Sequence, residues 1–254
     1  MKKVVIIGSS IGGPATGNLL AKKGHTVTIF ESHRTPGGYT AGFCRSGFYF
    51  ESGTFGLEAL ASVFKVMKDI GVADQIEFVQ HKTRWVTEDF DDSPDSYAEF
   101  KEMLYSAYPG EKQRLAGFFA EIDKITAAMD GMDKPMPYLY RGIPYLMAIL
   151  SYLPGALKNA GITKKYWNMT SSEFVGMFFE KGDKLYRLFA GTGYYPDMPA
   201  FLIAGALVGV FHDHWTVKGG MQSWADVLAD NFQKLGGKLL LDSRVERIIT
   251  IRRR

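Results

Sequence analysis

The chain has 254 residues, of which 46% are hydrophobic and 22% charged, which is the composition of an ordinary globular protein. The formal net charge is +3, and the basic residues are scattered except at the terminal Arg252-Arg253-Arg254, so we expect no nucleic-acid partner. The single cysteine, Cys44, excludes an internal disulfide and fits a reducing compartment, and we expect it to pack in the core.

Hydrophobic segments are too short for a membrane span or a signal peptide. The longest, residues 198–211, falls short of the roughly 20 residues that a spanning helix needs. The apolar run at residues 4–7 is too short for the hydrophobic region of a signal peptide. We therefore expect a cytoplasmic protein, with peripheral contact to a membrane surface left open.

The first 31 residues have the pattern of a β-α-β unit. Residues 4–7 are β-branched, as in a buried parallel strand, and the glycine-rich residues 8–13 follow at once. A helix is expected over residues 15–23, ended by Gly24, and a second strand over residues 26–30. This order predicts a Rossmann-like dinucleotide-binding fold.

The chemistry of such a unit assigns roles to its glycines and its acid. Gly8 permits the tight turn, Gly13 allows close packing of helix on strand, and the helix amino terminus faces a pyrophosphate. Glu31, at the end of the second strand, is placed to accept hydrogen bonds from ribose hydroxyls, and its charge disfavours a 2′-phosphate. Ser10 replaces the middle glycine of G-x-G-x-x-G, so its hydroxyl either donates to the phosphate or its Cβ weakens binding. An ordinary β-α-β unit without a ligand is the alternative.

The middle of the chain is mostly helical. Short strands are expected at residues 76–79 and 83–87, and a hairpin at residues 43–51 around Ser46-Gly47. Helices are expected at residues 57–70, 94–107, 111–129, 171–180 with a capping box from Thr170 to Glu173, 183–190 and 199–211. A belt of aromatic and aliphatic residues broken by prolines, residues 135–154 with Trp167, is interpreted as helical core, or else as the wall of an apolar tunnel or a lipid-facing surface.

The pattern returns to helix and strand near the end, at residues 220–235, 238–241 and 244–251. We therefore expect an α/β fold in which residues 1–77 and 218–254 form the dinucleotide-binding domain and residues 78–217 form a largely helical substrate domain. No metal site is predicted, because the five histidines do not have ligand spacing.

Five further segments carry a resemblance to a known family. The glycine doublet Gly37-Gly38 after Glu31 resembles that of FAD-dependent amine oxidases and phytoene desaturases. Residues 47–53 resemble the family's G-F-x-F-D-x-G segment with Glu51 in place of aspartate, and residues 218–224 resemble its P-K-G-G-M helix entry. Residues 236–238 and 245–248 are similar to its G-G-x-I and V-x-x-I strands. The carotenoid desaturase, carotenoid isomerase and retinol saturase branch is the most similar.

The resemblance implies an FAD-dependent oxidoreductase that transfers hydride or electrons from a hydrophobic, polyene- or isoprenoid-like substrate to the flavin. In such enzymes the cofactor carries the redox chemistry, and no catalytic residue is assigned here. The implied cofactor contacts are Gly8, Ser10, Ile11, Gly12, Gly13, Glu31, Gly37, Gly38 and Val245.

Two alternatives remain open at the sequence level. Family members continue past the strand pair at which this chain stops, so the chain is expected to lack the late segment that contacts the flavin. The alternative function is therefore a non-catalytic or split-enzyme dinucleotide-binding fragment that needs a complementing carboxyl-terminal polypeptide. A nicotinamide-dependent dehydrogenase is a further alternative, which Gly37-Gly38 disfavours.

Overall fold

The structure, a computed structural model, describes residues 1–129, 134–192, 195 and 197–250. The chain divides into two compact units. Met1–Val79 and the described residues from Trp215 onwards form the first unit, and Gln80–His214 form the second. The boundaries lie at 79/80 and 214/215, against 77/78 and 217/218 expected from the sequence.

The first unit alternates strands and helices before and after the insertion. Its elements before the insertion are β1 (Lys3–Ile7), α1 (Gly12–Lys22), β2 (Thr26–Phe30), β3 (Gly42–Arg45), β4 (Phe48–Glu51), α2 (Leu60–Ile70) and β5 (Phe78–Gln80), which ends at the boundary. The second unit contains β6 (Trp85–Val86), β7 (Asp91–Asp92), α3 (Tyr97–Ala107), α4 (Lys112–Ala128), α5 (Ile143–Trp167), α6 (Ser171–Gly176), α7 (Lys184–Ala190) and α8 (Ala200–Gly209). The chain then returns to the first unit with β8 (Trp215–Val217), α9 (Met221–Lys234) and β9 (Lys238–Leu240).

A parallel sheet in the order β1-β2-β9 forms the centre of the first unit. Val4 pairs with Val27, and Ile29 pairs with Leu239. Val27, Ile29 and Phe232 of α9 are buried together on one face of this sheet. Because parallel strands with crossover helices form the Rossmann-like arrangement, the α/β expectation is confirmed.

Helices α1 and α9 are joined through a buried amide. The Asn18 side chain donates to the carbonyl oxygens of Pro14 and Leu228, each at 2.8 Å, and accepts from Asn231 at 2.7 Å. A buried amide in an apolar layer is stable only when its hydrogen bonds are satisfied, as they are here. Asn18 therefore fixes how α9 lies beside α1.

Two sequence-based helix bounds in the first unit are corrected. α1 begins at Gly12 rather than residue 15, and α2 begins at Leu60 rather than residue 57. The later start of α2 follows because Leu57 pairs with Trp215 and Ala59 adopts a left-handed conformation.

The strand expected over residues 244–251 is wrong for residues 244–250, and Ile251 lies outside the described residues. A strand needs a hydrogen-bonded neighbour, and the structure describes none beside residues 244–250. Cys44 was expected in the core, but it is exposed on the β3–β4 hairpin.

The second unit is a helical domain around a phenylalanine-rich core. The capping box at the start of α6 is confirmed, since Thr170 and Glu173 bond each other's backbone N–H groups, but α6 ends at Gly176 rather than residue 180. The core side chains are buried on α3, α4, α6, α7 and the turn after α6, and include Phe100, Phe118, Phe119, Phe174, Phe179 and Phe189.

The belt of aromatic and aliphatic residues, interpreted from the sequence as helical core broken by prolines, lies largely on one continuous helix, α5. α5 runs through Pro154, which sequence reasoning treated as a break. The core interpretation is wrong for much of the belt, because Tyr166 is the buried residue of α5 while Tyr145, Leu146 and Met147 are exposed. No helix in the described part of the chain has both the length and the apolar character needed to cross a bilayer.

The packing of α1 on β1 generates a first prediction. A Cβ built on Gly13 lies 2.2 Å from the carbonyl oxygen of Gly8, whereas one built on Gly12 meets nothing within 4 Å. Gly13→Ala should therefore lower the free energy of unfolding by about 1–3 kcal/mol, because the backbone must move. Urea titrations would measure this.

Gly12→Ala is the matched control for this prediction. It adds the same methyl group one residue earlier and should leave stability unchanged or raise it by up to about 1 kcal/mol. Equal stability of the two variants would contradict the close packing at Gly13.

Candidate dinucleotide-binding site

The turn from β1 into α1 leaves the helix amino terminus open. Gly8 has a φ of 94°, which favours glycine, and its N–H donates to Phe30 at 2.7 Å. The first turn of α1 contains no acidic residue and no side-chain cap, and no acceptor for the Gly12 N–H occurs among the described residues. The Gly13 N–H donates to the Ser10 carbonyl at 2.8 Å and Pro14 has no N–H, so the Gly12 N–H is the group suited to an anion at this positive end of the helix.

Glu31 lies at the carboxyl end of β2 and is 5% exposed. One carboxylate oxygen, Oε2, accepts from the Ser9 N–H at 2.6 Å and from the Ser9 hydroxyl at 2.9 Å. The other, Oε1, accepts from the His33 N–H at 2.9 Å and from the Ser32 hydroxyl at 3.1 Å, and the His33 ring lies 2.9 Å away. The carboxylate therefore joins the glycine-rich turn to the segment after β2.

These contacts keep the Glu31 carboxyl ionised. Burial by itself would raise its pKa, but the N–H groups of Ser9 and His33, the His33 ring and the Ser9 hydroxyl stabilise the charge. The net effect lowers the pKa of Glu31 from 4.5 to about 2. A permanent negative charge is thus held beside the turn at neutral pH.

The glycine doublet lies directly against the turn. The Gly37 N–H donates to the Ser9 carbonyl at 2.9 Å, and Ser10 and Gly37 form a parallel bridge. Gly37 and Gly38 both have positive φ, at 120° and 58°. A Cβ on Gly38 would lie 3.0 Å from that of Ser10, so this approach of two backbone segments requires glycine.

Sequence reasoning missed a glutamine that braces this loop. Gln222, in the first turn of α9, accepts from the Gly42 N–H at 3.0 Å and donates to the Pro36 carbonyl at 3.1 Å. Glu51 accepts from the Met221 N–H at 2.9 Å and so binds the start of the same helix. The G-G-M-Q motif at residues 219–222 was the available signal, but it marked only a helix entry.

Ser9 and His33 were also missed as partners of Glu31. Ser9 occupies a variable position of the glycine pattern, and nothing in the spacing shows that its side chain turns inward to the acid. His33 follows Glu31 by two residues, and no motif marks its N–H and ring as partners of the carboxylate.

Ile11 and Val245 are two further predicted cofactor contacts. Ile11 precedes α1 and packs against the apolar cluster of Met67, Val217 and Trp224. Val245 is half-buried, two residues after Ser243, whose N–H donates to the Glu31 carbonyl at 2.7 Å. The cofactor role of each residue stays a prediction.

The residues present fit a dinucleotide that carries an unphosphorylated ribose. The space over Gly12 is open, and the N–H of this residue is free among the described residues to meet a phosphate oxygen. Ser32 and His33, which donate to Glu31 Oε1, are exposed and can give way to ribose hydroxyls. Ser10 is exposed beside Gly38. Within the described ranges, no group of three or more metal-ligating side chains occurs.

Comparison with known proteins agrees with this geometry. A family model described as an NAD(P)-binding Rossmann-like domain matches residues 6–70. All-trans-retinol 13,14-reductase from Danio rerio is 25% identical over 96% of this chain and 42% of its own length. The 4,4′-diapophytoene desaturase of Staphylococcus aureus is 26% identical over 97% of this chain and 49% of its own length. The chain thus spans about half the length of these curated relatives.

Solved structures share the fold. A crystal structure of an oxidoreductase from Methanosarcina mazei matches 99% of this chain and 54% of its own, with a TM-score of 0.61 and 17% identity. A putrescine oxidase variant matches 95% of this chain and 51% of its own, with a TM-score of 0.58 and 15% identity.

The lowered pKa of Glu31 generates a second prediction. Since the folded-state pKa of about 2 lies below the ordinary 4.5, the carboxylate stabilises the fold fully above about pH 5, and this contribution disappears as the pH falls towards 2. A pKa difference of this size between the folded and unfolded states corresponds to about 3 kcal/mol of folding free energy. Glu31→Gln should therefore lower the free energy of unfolding by up to about 3 kcal/mol at pH 7, and the deficit should shrink in urea titrations at pH 4 and 3.

The matched control is Glu77→Gln in the same unit. Glu77 is exposed and pairs with Lys218 at 2.9 Å. Replacing Glu77 by glutamine should lower the free energy of unfolding by less than about 1 kcal/mol at each pH. A deficit for Glu31→Gln that does not change with pH would contradict the ionised, hydrogen-bonded carboxylate.

Proposed function

We propose that this chain, which belongs to the superfamily of FAD-dependent amine oxidases and phytoene desaturases, binds FAD and takes part in the oxidation or reduction of a hydrophobic polyene- or isoprenoid-like substrate. The superfamily resemblance inferred from the sequence motifs is confirmed by the matches to a retinol reductase, a diapophytoene desaturase and an amine oxidase fold. The single observation that supports FAD binding most directly is the ionised Glu31 carboxylate beside the open amino terminus of α1.

The diphosphate of FAD would lie at the start of α1. The helix dipole and the Gly12 N–H favour its negative charge, and no acid in the first turn opposes it. Gly37 and Gly38 would supply the second backbone segment beside it, held in place by Gln222. Ser10, between the two segments, would donate its hydroxyl to the diphosphate.

The adenosine ribose would lie at Glu31. Its hydroxyls would replace the Ser32 hydroxyl and the His33 ring on Oε1, while Ser9 keeps the carboxylate oriented through Oε2. A 2′-phosphate would meet the Glu31 charge, so FAD or NAD fits better than NADP. The backbone beyond Ser243 lies next to Glu31, so Val245 is proposed to contact the adenosine end.

When bound, FAD supplies the acceptor or donor of hydride or electrons, and this chain's residues bind and orient it. The proposed substrate class rests on the two curated relatives, a retinol reductase and a diapophytoene desaturase. The described residues of this chain do not identify a general acid or base, and none is proposed.

A second proposal is that the chain is a dinucleotide-binding subunit that acts only together with another polypeptide. One face of the parallel sheet supports this second proposal, because Val5 and Ile7 of β1 on that face are more than half exposed. Sheets of this kind normally have both faces covered. Turnover of a polyene by the purified chain alone would exclude this second proposal.

FAD titration of the purified chain tests the main proposal and gives a third prediction. Glu31→Gln should weaken FAD binding by about 1.5–3 kcal/mol, as expected for the loss of charge-assisted hydrogen bonds to ribose. FMN, which lacks the adenosine ribose, should lose no affinity in the same variant. Flavin fluorescence quenching measures both ligands, at a temperature at which circular dichroism shows the variant folded.

Glu77→Gln again serves as the control and should bind FAD as the wild type does. FAD affinity unchanged in Glu31→Gln would show that the ribose lies elsewhere. A wild-type chain that takes up NAD but no FAD would instead indicate a nicotinamide-dependent protein.

A further inference from the structure

Helices α1 and α9 of the first unit begin in opposite ways. The Gly12 N–H at the start of α1 has no acceptor among the described residues, whereas the start of α9 is bound by β4. Glu51 Oε1 accepts from the Met221 N–H at 2.9 Å, and the Tyr49 hydroxyl oxygen accepts from the Gln222 N–H at 3.4 Å. α9 has no acidic residue in its own first turn, so the carboxylate from β4 balances the positive end of its dipole. The amino terminus of α9 is therefore closed by the protein itself.

Tyr49 and Glu51 act as a pair because they lie on the same face of β4. Alternate residues of a strand share a face, and the Tyr49 hydroxyl donates to Glu51 Oε2 at 3.0 Å. A Cβ built on Gly220 would lie 2.5 Å from this hydroxyl oxygen, and one built on Gly42 would lie 2.0 Å from it. Tyr49 therefore occupies the space that a side chain at either glycine would take, between Gly42 and the start of α9.

Gln222 links the first turn of α9 to the doublet loop, which we define as residues 36–42. Its Oε1 accepts from the Gly42 N–H at 3.0 Å, and its Nε2 donates to the Pro36 carbonyl at 3.1 Å. These two bonds hold both ends of the loop. Between them, the Gly37 N–H donates to the Ser9 carbonyl at 2.9 Å. The same loop therefore contacts the glycine-rich turn on one side and the first turn of α9 on the other.

We propose that Glu51 is a positioning residue for the diphosphate of the dinucleotide, an inference that rests on the proposed function. With Tyr49 it fixes the first turn of α9, from which Gln222 holds the Gly37-Gly38 backbone beside the amino terminus of α1. Glu51 does not touch the ligand. Without it the loop is less ordered before binding, and ordering it costs part of the binding free energy.

Titration of the full chain with ADP and with adenosine tests this proposal, because ADP carries a diphosphate and adenosine carries the ribose alone. Glu51→Ala should weaken ADP binding by about tenfold, through loss of a charge-assisted hydrogen bond, and leave adenosine binding unchanged. Loss of a negative charge would by itself favour the anionic ADP, so a weaker affinity reports position and not charge. Isothermal titration calorimetry measures both ligands at a temperature at which circular dichroism shows the variant folded.

Two milder variants separate hydrogen bonding from charge and keep the fold. In Glu51→Gln the amide oxygen can still accept from the Met221 N–H, so ADP affinity should stay within about threefold of the wild type. Tyr49→Phe removes only the hydroxyl group from a side chain that is 42% exposed. It should weaken ADP binding by about threefold and leave adenosine binding unchanged.

Gln222→Met tests the link from α9 to the doublet loop. Methionine has a similar length but makes neither hydrogen bond, so ADP binding should weaken by about tenfold while adenosine binding stays the same. The matched control is Gln233→Met, the same change at an exposed position in the last turn of α9. This control should bind both ligands as the wild type does.

Hydrogen exchange followed by mass spectrometry measures the order of the doublet loop without any ligand. The Thr40 and Ala41 N–H groups donate to the carbonyls of Gly37 and Gly38, so a loosened loop exposes them to solvent. Peptides that cover residues 36–42 should exchange faster in Glu51→Ala and in Gln222→Met than in the wild type. In Gln233→Met they should exchange at the wild-type rate.

Equal weakening of ADP and adenosine binding in Glu51→Ala would overturn the proposal, because a general loss of structure would then explain the result. An unchanged ADP affinity in Glu51→Ala, with a wild type that binds ADP, would overturn this inference alone. A wild-type chain that takes up neither FAD nor ADP would overturn the proposed function and this inference with it.

Discussion

The buried carboxylate of Glu31 is the contact on which the arrangement of the first unit depends. It accepts from Ser9 in the glycine-rich turn and from His33 after β2, so one charge fixes two segments that are far apart in sequence. Because these donors outweigh the cost of burial, the charge persists at neutral pH. A nucleotide site built around it therefore has a fixed acid at one end and an open helix amino terminus at the other.

Close backbone approach is the second constraint on this site. Gly13 lies against the carbonyl of Gly8, and Gly38 lies against Ser10, at separations that exclude a further side chain. Gln222 then ties the doublet loop to α9, and Asn18 ties α9 to α1. These two amides make the position of the loop depend on a helix nearly 200 residues away, on the far side of the insertion.

The second unit shows how the same residue types serve different purposes. The phenylalanines of α3, α4, α6 and α7 are buried in one core. The leucines of α5 are equally apolar, yet Leu146, Leu150 and Leu157 are exposed. Apolar composition alone therefore does not decide whether a helix face is buried.

Local sequence determined the β-α-β unit, the Ser46-Gly47 hairpin, the capping box at Thr170 and the position of Glu31, because turn glycines, caps and strand periodicity act over a few residues. Tertiary structure decided the partners of Glu31, the role of Gln222, the exposure of Cys44 and the course of α5 through Pro154. Apolar spacing gives the same pattern for a core face and an outward face, and strand propensity at residues 244–250 forms no strand without a neighbouring one. The physical reason is that burial and long-range hydrogen bonding depend on segments distant in the chain, which no local pattern contains.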